Sequence, residues 1–188
     1  MNKMIVYVSL ISIWIILGNV WHGILIFIYS GGGRPSTISE HAVKSKRLLW
    51  AHRLVHSLPL IVFMPMIFDY LVPSGYILAA FTLMSGAIFD ALETLTLNKS
   101  TAPVDSPFNV HHLTTWLMAL SYFIYAILIS EIAEVNPWIY LPVLAACVVL
   151  LFIAGKKVFK GKFLIMQMSY FILVSLVVLV ANVKLMFP

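Results

Sequence analysis

From Met4 to Gly33 the chain runs without a single charged side chain. About 20 mostly apolar residues are what an α-helix needs to cross a bilayer core, where every backbone N–H and C=O must be paired inside the segment. Five further stretches of this kind follow, at about Leu48 to Leu71, Tyr76 to Leu97, Phe108 to Ser130, Pro137 to about Ile153, and Phe163 to Val183. Charged residues make up only 10% of the chain and hydrophobic residues 62%, whereas soluble domains are about 25% charged and about 45–50% apolar. A soluble enzyme, a disordered tail and a nucleic-acid module are thereby excluded. The expected fold is an all-α integral membrane protein, a six-transmembrane-helix bundle forming one polytopic domain over residues 1–188. The first stretch is too long for the core of a cleavable signal peptide, and no small-x-small site closes it.

The residues between the stretches punctuate them. Gly31-Gly32-Gly33 with Pro35 breaks the chain after the first span. Thr37-Ile38-Ser39-Glu40 reads as a capping box, so the second helix is expected to start near Ile38, before its apolar part. Pro73-Ser74-Gly75 is a tight turn. Ser106-Pro107 and Asn136-Pro137 each place an N-cap residue ahead of a proline at the first helical position. Gly155 ends the fifth helix.

Charge assigns the sides. The loops after the first, third and fifth spans hold Arg34, Lys44, Lys46, Arg47, Arg53, Lys99, Lys156, Lys157, Lys160 and Lys162, and the opposite side holds only Lys3 and Lys184. Positively charged loops stay cytoplasmic. Both termini are therefore expected outside the cytoplasm, in the cell inner membrane. Lys156 to Lys162 set the topology and touch anionic headgroups.

This topology gathers the scattered polar residues at one depth. His22 lies about seven residues from the inner end of its helix, roughly 10 Å along the axis. His52 and His56 fall in the inner half of the second span, Asp90 and Glu93 near the inner end of the third, and His111 and His112 near the start of the fourth. His52 and His56 are four apart, and Asp90 and Glu93 three apart, so each pair shares a helix face. Asn19 and Ser12 continue the stripe of His22. His111 and His112 point about 100° apart, so only one faces inward, and Thr115 lies one turn beyond His111. Ionisable residues are costly in a membrane span and mark functional sites. A polar His/Asp/Glu site among helices 1–4, near the cytoplasmic side, is the usual way in which a bundle builds an internal centre.

Imidazole and carboxylate donors without thiolate suit zinc or iron. The expected ligands are His22, His56, Asp90 and one of His111 and His112. His52 and Glu93 are assigned to general acid–base catalysis or to a second ligand set. Arg53 is placed to hold a cofactor or substrate head group. The expected function is a metal-dependent membrane enzyme, a hydrolase or oxidoreductase acting on a lipid-like or other membrane-soluble substrate at the cytoplasmic leaflet. The alternatives are a b-type haem protein with two axial histidines, and a metal or proton transporter. Expected partners are membrane lipids and that substrate, with no nucleic acid. Helices five and six carry no ionisable residue at this depth and are expected to support the bundle or to form a homo-oligomer surface.

Several residues carry blander expectations. Cys147 is alone, so it forms no intrachain disulfide and no cysteine-based zinc site. Trp50 and Trp138 read as interfacial anchors. Trp21 and Trp116 sit close in sequence to clustered histidines and read as packing or as walls of the site. His41 is expected to be solvated. The methionines read as core filler.

Overall fold

The computed structural model describes residues 3–29, 37–103, 108–154 and 163–187. They are helical, with no strand among them. α1 is Lys3–Tyr29, α2 Ile38–Ala42, α3 Lys46–Ser57, α4 Pro59–Val62 and α5 Met64–Met66. A π-helical turn, Ile67–Leu71, follows, and then α6 Ile77–Thr96, α7 Val110–Ile132, α8 Pro137–Ala154 and α9 Phe163–Met186. Five segments are long and apolar enough to cross a bilayer: Ile5–Ile26, Lys46–Leu71, Ile77–Thr96, Val110–Ile132 and Leu164–Met186. The apolar helix at Pro137–Ile153 is shorter.

Two N-caps divide what the sequence presents as one start. The Thr37 hydroxyl accepts from the Glu40 amide at 3.0 Å, the main-chain half of the expected capping box. The helix it opens lasts only five residues, because the Ser45 hydroxyl accepts from the Leu48 amide at 3.2 Å and opens α3 instead. α2 is thus a separate helix. Ile38 and Ala42 pack with Leu25, Leu48, Leu97 and Ala102. This explains His41: expected in water, it is fully buried, because α2 lies against the bundle rather than extending α3 beyond it.

The second span is broken by its prolines. Pro59 has no N–H, so the Val55 carbonyl loses its helical partner. The indole Nε1 of Trp14 donates to that carbonyl at 3.3 Å, tying α1 to the break. Beyond Pro65 the chain completes the span in the π-turn, with Val72 N bonded to Ile67 O at 2.9 Å.

The turn at Pro73-Ser74-Gly75 holds, with Gly75 at φ +81, a left-handed conformation that glycine adopts without steric cost. α7 starts later than the Ser106-Pro107 signal suggests: its N-cap is Asn109, whose side chain accepts from the His112 amide at 3.1 Å. Ser106 and Pro107 themselves lie outside the described residues, as do the Gly31–Pro35 break, Arg34, Gly155 and the Lys156–Lys162 loop. Asn136 does cap α8, accepting from the Trp138 amide at 3.0 Å.

Among the described residues, α6 and α7 make the most extensive helix–helix contact. Gly86 lets them approach: a Cβ there would lie 2.5 Å from Cε1 of Tyr122. α9 packs against α1, α7 and α8. The stripe on α1 turns toward it, with Asn19 Nδ2 donating to Ser175 Oγ at 3.0 Å and Asn182 Nδ2 to Ser12 Oγ at 3.2 Å. α9 thus supports the bundle from three sides, as expected for helix six, and in addition meets the polar stripe of α1.

Candidate functional site

Six polar side chains expected together do meet. His22, His52, His56, Asp90, Glu93 and His111 are all buried, none more than 7% exposed. His111 is the inward member of its pair. His112 is half-buried, its ring 6.2 Å from that of Phe108.

The two carboxylates divide the histidines into two groups. In the first, Nδ1 of His56 lies 2.6 Å from Oδ1 of Asp90, and the Tyr122 hydroxyl donates to Oδ2 at 3.1 Å. An ionised carboxylate can only accept, so the His56 Nδ1 carries the proton it shares with Asp90. The opposite nitrogen, Nε2, faces Nε2 of His22 at 3.1 Å. One proton between those nitrogens completes a chain Tyr122–Asp90–His56–His22 across α7, α6, α3 and α1. Asp90 thus sits behind His56 and orients it.

In the second group, Oε1 of Glu93 accepts from the Ser39 hydroxyl at 3.3 Å, and Nδ1 of His111 donates to the Glu93 main-chain carbonyl at 3.1 Å while lying 3.4 Å from Oε1. Its Oε2 is 4.0 Å from Nε2 of His52 and has no hydrogen-bond partner among the described residues. The Trp21 indole donates to Nδ1 of His52 at 3.1 Å, which leaves the proton of the neutral ring on Nε2, facing Glu93. The groups touch where the rings of His52 and His56 lie 4.1 Å apart. Separate partners resolve the repulsion that two acids on one face would otherwise suffer.

Arg53 is used locally. Its Nε donates to the Thr94 carbonyl at 3.1 Å and a terminal nitrogen to the Leu97 carbonyl at 3.4 Å. It caps the C-terminus of α6, where a cation is also favoured by the helix dipole. Thr115 bonds the His111 main-chain carbonyl at 2.8 Å and does not touch the ring. Trp116 is 44% exposed and walls nothing. Among the described residues, no group of three or more His, Cys, Asp or Glu side chains is placed to hold a metal ion.

A cavity of about 70 Å³ adjoins the first group, lined by His22, His56, Asp90 and Tyr122 at one end and by residues such as Ile11 and Val178 at the other. By the measure in which one water needs about 10–15 Å³, it holds several. α9 supplies part of its wall, including Tyr170, Phe171 and Ser175, and the Phe171 ring lies 5.3 Å from that of His22. The Gln167 side chain also accepts from the Ile38 amide at 3.2 Å, holding α2. The expectation that helix six stands apart from the site is corrected: antiparallel packing beside α1 brings its aromatic residues to the depth of His22.

Tyr122 and Ser39 join the site without having been singled out, beside Trp21 and Asn19, whose nearness to His22 was legible. Tyr122 had a legible signal, since eleven residues from His111 make three helical turns and return to one face. Trp21 was legible as a neighbour of His22 but not as the partner of His52, and Ser39 had no signal, because these partners come from other helices. No protein-family model matches the chain, and no curated protein or solved structure is detectably similar to it.

Proposed function

We propose that this chain is a six-span integral membrane enzyme of the cell inner membrane, with both termini outside the cytoplasm. In this reading α8 is the shortest crossing, 18 residues or about 27 Å, within the range that spans a bilayer. The substrate is membrane-soluble and lipid-like, and is met near the cytoplasmic leaflet.

The observation that carries the reading is the buried Asp90–His56–His22 chain at the polar end of a largely apolar cavity. Asp90 holds the proton of His56 on Nδ1, so that Nε2 is the basic nitrogen, and its charge stabilises the imidazolium formed when Nε2 takes a proton. His22 is the group that passes a proton to or from His56. Glu93 and His52 are the next groups along the polar layer. The protein, reconstituted in liposomes, should convert a component of a membrane lipid extract, read by mass spectrometry. Asp90→Asn and His56→Ala should each lower conversion by about 10²–10⁴, the usual contribution of a positioned acid–base group. Equal conversion by wild type and both variants would overturn the proposal.

A second reading has its own support. Two imidazole nitrogens on one tetrahedral ion, at about 2.0–2.1 Å each, stand about 3.3 Å apart, and the two Nε2 atoms are 3.1 Å apart. A carboxylate behind a ligating histidine is the common arrangement around such ions. In this reading His22 and His56 hold zinc or iron, with Asp90 as the orienting partner rather than a ligand. Stoichiometric metal in the purified protein, lost in His22→Ala and only weakened in Asp90→Ala, would favour it.

A further inference from the structure

The cavity also restricts what can occupy it. Its lining follows α1 from Ile11 to His22, eleven residues or about 16 Å, and its about 70 Å³ is partly open rather than enclosed. Trp14, Phe63, Leu83, Phe171 and Val174 give it apolar walls. Gly18 keeps it open on the α1 side, since a Cβ there meets nothing within 4 Å.

Its polar end is unfinished. Asn19 and His22 are three apart and share a face of α1. The Asn19 Nδ2 is committed to the Ile15 carbonyl at 2.9 Å and to Ser175. A carbonyl only accepts, so the amide orientation is settled and Oδ1 is the remaining acceptor. Oδ1 of Asn19 and Nδ1 of His22 are both buried without a hydrogen-bond partner among the described residues, a costly state unless something pairs with them. No Lys or Arg lines the cavity, while the Asp90 carboxylate does. Arg53 is occupied by the end of α6. A carboxylate or phosphate head group would meet one negative charge and no Lys or Arg free to pair with it.

We infer that the occupant is a single-chain amphiphile with an uncharged, hydroxyl-bearing head: a long-chain or isoprenoid alcohol, or a phenol with an apolar tail. Its O–H donates to one of these two open acceptors, Asn19 Oδ1 or Nδ1 of His22, and its chain runs along α1 toward Ile11. This rests on the reading of the cavity as a substrate site and names the class of substrate.

Trp14 lines the cavity and reports on occupancy. Trp50, Trp116 and Trp138 are exposed, so each is replaced by Phe in the full chain, purified in detergent. Undecanol brominated at its far end should quench the remaining tryptophan fluorescence saturably. Undecanoic acid brominated at the same position should bind at least tenfold more weakly at neutral pH. Gly18→Ala should weaken the alcohol and Gly18→Leu should abolish the saturable component, in proteins that melt no lower than the parent. Asp90→Asn should narrow the preference for alcohol over acid. Equal or tighter binding of the acid, or saturable quenching that persists in Gly18→Leu, would overturn the inference. Binding is read without turnover: an alcohol that binds as described in a protein with no catalytic activity would refute the enzymatic reading and leave this one standing.

Discussion

Replacing Gly86 by alanine tests the α6–α7 contact and the hydrogen-bonded site together. The added Cβ would lie 2.5 Å from Cε1, 2.7 Å from Cδ1 and 3.1 Å from Cζ of Tyr122. The obstacle is the body of an aromatic ring, not the end of a flexible chain. That ring has little freedom, with Trp14 at 6.1 Å and Phe63 at 6.3 Å between ring centroids and its hydroxyl on Asp90. Overpacking costs about 1–3 kcal/mol. Displacing the ring also weakens a hydrogen bond to a carboxylate, a class of bond worth about 1.5–3 kcal/mol. Alanine recovers about 1 kcal/mol of helix propensity over glycine. The expected net loss is about 2–3 kcal/mol, taking partial relaxation of the ring into account. Gly23→Ala is the control, because a Cβ there meets nothing within 4 Å and only the propensity gain of up to about 1 kcal/mol remains. Denaturant unfolding in detergent reads both. The double variant Gly86→Ala/Tyr122→Leu, which removes the ring, should recover part of the packing loss and none of the Asp90 bond. A Gly86→Ala protein as stable as Gly23→Ala would refute the reasoning.

Two further expectations follow from single contacts and a third from the charge distribution. His56→Ala and Asp90→Ala should each destabilise the fold, and the double variant should be little worse than either single, since each removal strands the other partner; additive losses in unfolding measurements would mean that the pair is not a unit. Arg53→Ala should lower stability by about 1–3 kcal/mol by uncapping the Thr94 and Leu97 carbonyls, and hydrogen exchange should rise first at the C-terminal turn of α6; unchanged exchange there would contradict the capping role. For topology, Lys160→Cys in a Cys147→Ser background should resist an impermeant thiol reagent applied from outside the cell, and labelling there would reverse the orientation.

The sequence by itself determined the elements. Apolar length and missing charge mark α1, α6, α7 and α9 to within about two residues at most ends, because a helix that must satisfy its own backbone advertises itself in composition. Spacing placed His52 with His56 and Asp90 with Glu93 on shared faces, because 3.6 residues per turn is a local property. Which groups bond across helices is not local. Only the tertiary structure separated Asp90 from Glu93 into different networks, set Tyr122 and Ser39 on the two carboxylates and turned Arg53 to the end of α6. It also brought α9 into the cavity wall, a placement that no ionisable residue signalled because the contribution of α9 is aromatic and apolar. The break between α2 and α3 lay in between: Thr37 was legible as an N-cap, but that Ser45 opens a second helix and that α2 lies against the bundle and buries His41 follow from the folded structure, where α2 packs with Leu25 and Leu97. Periodicity reports the face a helix presents; the neighbour that meets that face is decided by how six apolar segments fill space together.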